Sequence, residues 1–220
     1  MIPTFDAYLF DIDGTLLDSA PDICGTVQQV LSATDERPDV SHEFLKGYIG
    51  RHLIDLFGHL FPHYSTAQID RMIQDYRAIY VGRGHTQTAV YPGVVEALSV
   101  LPGRKATATT KGTPTTRAVL EQFGLIQYFD HVQGTDGIPC KPAPDVLLAA
   151  LSGLAAQPAG CLMVGDSAAD MEAGRRAGVA ICAVRYGYGK PEELAKWEPD
   201  YWVSDLRELL PYTSSQVING

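Results

Sequence analysis

Cysteine is scarce in this chain and falls in no chemical pattern. Four cysteines stand among 220 residues, Cys24, Cys140, Cys161 and Cys182, with no Cys-x-x-Cys spacing. That argues against a zinc site or a disulfide framework and predicts a reducing compartment, the cytoplasm. Cys161 and Cys182 lie inside apolar runs, where a thiol reads as a small buried hydrophobe. Long hydrophobic runs are missing as well. None nears the ~20 residues that a membrane-spanning helix needs, and the N-terminus passes into strand-like sequence without a signal-peptide pattern. An excess of positive charge is also absent. Lys and Arg number 17 against 26 Asp and Glu, a net charge of −9. This disfavours non-specific binding of nucleic acid or of anionic membranes. A small anionic ligand stays open, because a bound cation and a few lysines can dominate one pocket.

What is present describes a globular protein with a sizeable core: 45% hydrophobic and 20% charged residues. Short apolar runs ending in Gly, Asp or Thr alternate with helix-like segments. Tyr8–Phe10, Lys105–Ala108, His131–Gln133, Cys161–Val164, Ile181–Val184 and Tyr201–Val203 read as strands. Thr113-Pro114 reads as an N-cap and first-turn proline, Val119, Leu120 and Phe123 as the apolar stripe, and Gly124 as the stop. Pro92-Gly93 opens a second helix through Val94, Val95, Leu98 and Leu101, and Pro144 a third through Leu147, Leu148 and Leu151. Such alternation predicts an α/β fold, a Rossmann-like three-layer core with a parallel sheet covered on both faces.

Residues 18–84 break the alternation and read as consecutive helices. Ile69, Met72, Ile73, Tyr76 and Tyr80 follow helical spacing, as do Leu53, Ile54, Leu56, Phe57 and Leu60. These are stripes that face a core. The expectation is a helical insert at 18–84 on a core made of 1–17 and 85–220. The polar residues Thr213–Gly220 are expected to fray.

The chemistry gathers where strands are expected to end. Asp11-Ile12-Asp13-Gly14-Thr15 follows the run Tyr8-Leu9-Phe10. Paired carboxylates there can hold a hard cation through oxygen. One of them can also attack phosphorus while the other handles protons. Thr109, Thr110 and Lys111 follow the second strand, Lys141 lies in Cys140-Lys141-Pro142-Ala143-Pro144-Asp145, and Gly165-Asp166-Ser167-Ala168-Ala169-Asp170 follows the fourth. Taken singly, Thr109 and Ser167 read equally well as N-caps, Lys141 as a solvated loop lysine, and Asp166 and Asp170 as carboxylates at a helix N-terminus. Together, in this order, they supply nucleophile, acid–base group, hydroxyl donor, cation and metal ligand for phosphoryl transfer.

Asp11-Ile12-Asp13-Gly14-Thr15, Thr109, Lys141 and Gly165-Asp166-Ser167-x-x-Asp170 resemble the four motifs of the haloacid dehalogenase-like hydrolase superfamily. The helical insert resembles that family's C1 cap. Tyr91-Pro92-Gly93-Val94, Gly174-Arg175-Arg176-Ala177-Gly178-Val179 and Tyr186-Gly187-Tyr188-Gly189 resemble its phosphoglycolate phosphatase branch. The resemblance implies that Asp11 attacks the substrate phosphorus to form an aspartyl-phosphate. Asp13 would protonate the leaving oxygen and then activate water, which calls for surroundings that raise its pKa. Mg²⁺ would be held by the Asp11 carboxylate, the Asp13 carbonyl and Asp166. Thr109 and Lys141 would bind phosphoryl oxygens, and Asp170, beside Ser167, would support the metal or orient Lys141.

Gly14, Thr15, Thr110, Lys111 and Arg51 are the candidates for substrate contact. The branch often has Asn after Thr109, followed by Lys; here Thr110 precedes Lys111, which loosens the expectation about the leaving group. His52, His59 and His63 show no metal spacing and read as surface or packing residues. The expected activity is hydrolysis of a small phosphorylated metabolite, with 2-phosphoglycolate the leading substrate, by a monomer or homodimer. A phosphosugar mutase or pyrophosphatase of the same fold, and a non-catalytic phospho-ligand binder, are the rival readings.

Overall fold

The structure is a computed structural model and describes residues 2–211. The stretch expected to fray, Thr213–Gly220, lies outside the described residues. Seven strands run in chain order: β1 Ala7–Phe10, β2 Leu17–Asp18, β3 Ala89–Val90, β4 Arg104–Thr107, β5 Cys161–Gly165, β6 Ala180–Val184 and β7 Tyr201–Val203. The helices are α1 Ala20–Ser32, α2 His42–Lys46, α3 Leu53–Leu60, α4 Thr66–Arg83, α5 Val94–Val100, α6 Thr113–Gln122, α7 Asp145–Gly153, α8 Ala168–Ala177 and the short α9 Pro191–Leu194. No helix among the described residues is long and apolar enough to cross a membrane.

Five strands form one parallel sheet in the order β4-β1-β5-β6-β7. Side chains alternate across β1, so Tyr8 and Phe10 enter one buried cluster while Ala7 and Leu9 enter the other. The first cluster takes Val94 and Leu98 from α5 and Val119 and Leu120 from α6; the second takes Leu147 and Leu151 from α7 and Met171 from α8. Both faces of the sheet are therefore covered, which is why β1, β5 and β6 read as unbroken apolar runs. Truncating a fully buried Leu9 would cost about 2–5 kcal/mol.

Four helices, α1–α4, follow β2 and precede β3, and these two short strands pair antiparallel through Leu17↔Val90 and Asp18↔Ala89. The helices bury a cluster of their own around Leu56, Phe57, Phe61, Met72 and Tyr76. The ribbon ties together the two ends of the segment that carries these four helices.

Several local expectations are corrected. His131–Gln133 is not a strand but a single bridge from His131 to Ala106. The Thr107 hydroxyl accepts from the Gln133 amide at 2.8 Å and donates to its carbonyl at 2.9 Å, so a side chain takes the place of further backbone pairing. The N-cap of α6 is Gly112 rather than Thr113, because Asp136 Oδ2 accepts the Thr113 amide at 2.8 Å. Val95, Leu148 and Ile54 are exposed members of otherwise buried stripes, each one position beyond the face its helix turns inward.

Candidate active site

Winding of the sheet reverses at β1, since the chain passes to β4 on one side and later to β5 on the other. Open α/β sheets bind ligands beyond the strand ends at such a point. Asp11 continues β1, and its amide donates to the Val164 carbonyl at 3.0 Å, while the Ala108 amide donates to the Phe10 carbonyl at 2.8 Å. Register thus sets Asp11 between the ends of β4 and β5, from which Thr109 and Asp166 follow.

Lys141 arrives from the loop before α7 with a side chain only 1% exposed. Its Nζ lies 2.8 Å from Asp11 Oδ1 and 2.5 Å from Asp170 Oδ1. The other oxygen of Asp170 accepts from the Ser167 amide at 2.9 Å and the Ser167 hydroxyl at 2.6 Å. Ser167 and Asp170 form a reciprocal cap at the start of α8, so the cap reading is right and also fixes the Lys141 partner.

Asp166 accepts from the Thr15 hydroxyl at 3.2 Å and from the Tyr188 amide at 2.7 Å. Thr15 therefore holds Asp166, although it was expected at the substrate. Gly14 is backbone against the same group: its φ is +87°, and a Cβ there would overlap the Asp166 carboxylate.

Carboxylate oxygens of Asp11, Asp166 and Asp170 lie within 4.8 Å of one another, all three buried. The Asp13 carboxylate does not join them. It accepts from the Ser19 hydroxyl at 2.5 Å and pairs with Lys111 Nζ at 2.6 Å. Lys111 in turn sits 4.9 Å from the centroid of the Tyr80 ring on α4. The Asp13 carboxylate therefore has one hydroxyl and one ammonium partner.

Burial pushes the Asp11 carboxyl up to about 6, with Lys141 opposing and Asp170 and Asp13 adding to the rise. Burial also carries Asp166 well above the ordinary carboxylate range, and repulsion from Asp170 and Asp11 adds to it. For Lys141 burial opposes the charge, but Asp11 and Asp170 outweigh it and hold the ammonium above its usual value. The same contest at Lys111 is decided by Asp13. Both lysines are thus kept charged by the acids beside them.

These features test the fit of a cation. Three buried carboxylates, Asp11, Asp166 and Asp170, face one buried ammonium group, Lys141, while Asp13 and the half-buried Lys111 balance each other. Two negative charges are left over, the charge of one divalent ion. The donor set is oxygen only, which suits Mg²⁺ rather than zinc. The residues fit the metal.

A cavity of about 900 Å³ opens from Asp13 toward the insert, lined by Thr110, Lys111, Arg51, Ile73, Tyr76 and Tyr80 among others. Arg51 is exposed, with its guanidinium 5.3 Å from the Tyr48 ring centroid. Thr109 is fully buried; its hydroxyl accepts from the Lys111 amide at 3.4 Å. The three histidines stay apart from the acids: His59 bonds Tyr48, His63 pairs with Glu36, and His52 is exposed at the start of α3. Ser19 escaped notice in the sequence because a serine before Ala20-Pro21 signals a helix start, not a partner for Asp13. The signal for Tyr188 was the Tyr-Gly-Tyr-Gly run itself, with nothing to say what it touches.

Residues 8–184 match the family model described as haloacid dehalogenase-like hydrolase. The chain belongs to that family. A phosphoglycolate phosphatase of Vibrio parahaemolyticus is 34% identical over 91% of this chain and 92% of its own length. Phosphoglycolate phosphatase 1 of Pseudomonas aeruginosa is 32% identical over 92% of this chain and 78% of its own. Among solved structures, a haloacid dehalogenase-like family hydrolase of Streptococcus pneumoniae superposes with a TM-score of 0.84 at 26% identity, covering 93% of this chain and 96% of that one. In this haloacid dehalogenase-like hydrolase the matched span runs from β1 through β6 and so contains every strand end described above.

Proposed function

We propose that this hydrolase is a Mg²⁺-dependent phosphatase that cleaves a small phosphomonoester through an aspartyl-phosphate on Asp11. The observation that carries the reading is the convergence of Asp11, Asp166, Asp170 and Lys141 in one buried cluster at the sheet's switch point. Asp11 presents a carboxylate oxygen for in-line attack on phosphorus, and Lys141 keeps that carboxylate in one orientation. Lys141 and Thr109 receive the phosphoryl oxygens as charge builds on them. Asp170 restrains Lys141 through its 2.5 Å contact.

Asp11, Asp166 and the Asp13 carbonyl would hold Mg²⁺, with Asp170 behind them. When bound, the ion offsets the repulsion between phosphate and carboxylates and polarises a phosphoryl oxygen. Asp13 gives a proton to the leaving oxygen and later takes one from water. Lys111 occupies one Asp13 oxygen, so an anionic substrate drawing Lys111 toward itself frees that oxygen for the proton transfer.

Residues 18–84 form the cap in this reading and 1–17 with 85–220 the core, hinged at the β2–β3 ribbon. Closure brings Arg51 and Tyr80 toward the substrate and excludes water while Asp11 is phosphorylated. The names of the relatives support 2-phosphoglycolate as the leading substrate, and the reading takes the enzyme to act in the cytoplasm.

A panel of phosphorylated metabolites assayed with and without Mg²⁺ tests the reading. Inorganic phosphate should be released only with Mg²⁺, fastest from 2-phosphoglycolate, and not by Asp11→Asn. Isomerised sugar phosphate with little free phosphate would favour a mutase instead, and no turnover on any ester would favour a binding protein.

A further inference from the structure

We infer that Tyr188 is a positioning residue that joins the N-terminus of α1 to the Asp166 carboxylate, so that docking of the insert's first helix and the shape of the acidic cluster are set together.

The first amides of a helix have no partner within it. Ser19 stands at the N-cap of α1 and is the residue type that normally serves them. Its hydroxyl goes to Asp13 and makes no capping bond. The Tyr188 hydroxyl, from the loop after β6, does that work. It accepts from the Ser19 amide at 2.7 Å and the Ala20 amide at 2.9 Å, and donates to Asp18 Oδ1 at 2.9 Å. A phenol has one proton to give and two lone pairs, and here all three are engaged.

The same residue's backbone amide donates to Asp166 Oδ2 at 2.7 Å. Its loop is pressed onto that group, since a Cβ on Gly187 would overlap the Asp166 side chain. A third contact comes from α2, where Lys46 Nζ lies 5.6 Å from the Tyr188 ring centroid. One residue therefore touches a carboxylate of the acidic cluster and two helices of the insert. Displacing α1 breaks the bonds of the Tyr188 hydroxyl and loosens the loop that aims Asp166.

The inference rests on the reading that Asp166 helps to hold Mg²⁺, and its tests separate the two. Calorimetry on the wild type comes first: absence of Mg²⁺ binding would overturn the metal reading and this inference with it. Given binding, amide exchange followed by NMR decides the coupling, because linkage is reciprocal. Mg²⁺ should slow exchange of the Ser19 and Ala20 amides several-fold in the wild type, and unchanged exchange would overturn the inference while leaving the metal reading intact. That measurement needs no variant. Tyr188→Phe should expose both amides whether or not Mg²⁺ is present. It should also weaken Mg²⁺ binding roughly tenfold, the usual size for a group that holds a metal ligand from behind. Wild-type affinity in Tyr188→Phe would contradict the proposal.

Discussion

The core's rim and the insert's facing wall meet across one cavity but are built in opposite ways. On the rim, Asp11, Asp13, Lys141, Asp166 and Asp170 are all buried; Asp13, Lys141, Asp166 and Asp170 each have at least two polar partners, and Asp11 has Lys141. Across the cavity, Ile73, Tyr76 and Tyr80 present apolar or aromatic surface, and Arg51 is exposed with only an aromatic ring beneath it. Groups on the rim are over-determined, as electrostatic preorganisation requires. On the wall, Tyr76 and Tyr80 are held by the cluster they help to bury, and the exposed Arg51 can shift or be exchanged at small cost. In the function proposed above, the rim would set the chemistry and the wall would select the leaving group.

Substitutions on each side can break that division, and the largest effect belongs to Lys141. Lys141→Ala removes the cation shared by Asp11 and Asp170, and stranded buried acids should destabilise the metal-free fold by about 3–5 kcal/mol. Turnover should fall by about 10³-fold even where folding is restored by Mg²⁺. Calorimetric melting and steady-state rates check both halves.

Next comes the pH dependence of stability. Asp11 is raised from 3.8 to about 6, so below about pH 4 the folded and unfolded states both keep its proton. Between about pH 4 and about 6 the unfolded state has released the proton that the folded state still holds, so stability drops by about 3 kcal/mol across that window and then levels off. Asp11→Asn avoids the loss. In EDTA the variant should melt above the wild type at pH 7.5, with the gap closing toward pH 4. A gap independent of pH would show that burial of this charge is not strained.

Ser19→Ala removes one hydrogen bond from Asp13 while Lys111 remains, and kcat should fall about tenfold with little change in KM. Smallest is Arg51→Ala: hydrolysis of an aryl phosphate should change by less than about threefold, the scale of an exposed charge. A selective rise in KM for a substrate bearing a carboxylate would identify Arg51 as a leaving-group contact; a large loss of kcat on every ester would contradict the division between rim and wall.

Much of the rim was legible because its signals are local. A short apolar run followed by Asp11-Ile12-Asp13-Gly14-Thr15 marks a strand end without knowledge of the rest of the fold. The Ser167-x-x-Asp170 pair marks a helix start in the same way. The helices α3 and α4 were equally readable, since their apolar stripes recur at fixed spacing. What was hidden depends on meetings between distant segments. Lys111 reaches Asp13 across 98 positions and Tyr188 reaches Ala20 across 168. Thr15 belongs to the same class, because only the folded chain shows its hydroxyl on Asp166. The false strand at His131–Gln133 failed for a different reason: the Thr107 side chain took up the pairing groups.

Everything assigned to the rim turns on Asp11 as the atom that takes the phosphoryl group. Rapid acid quench of the enzyme with Mg²⁺ and a turned-over phosphate ester, followed by peptide mass spectrometry, reads this directly. One phosphoryl group is expected on the peptide containing Asp11, labile to base and absent from Asp11→Asn. A phosphoryl group on any other residue, or turnover by Asp11→Asn at the wild-type rate, would contradict it.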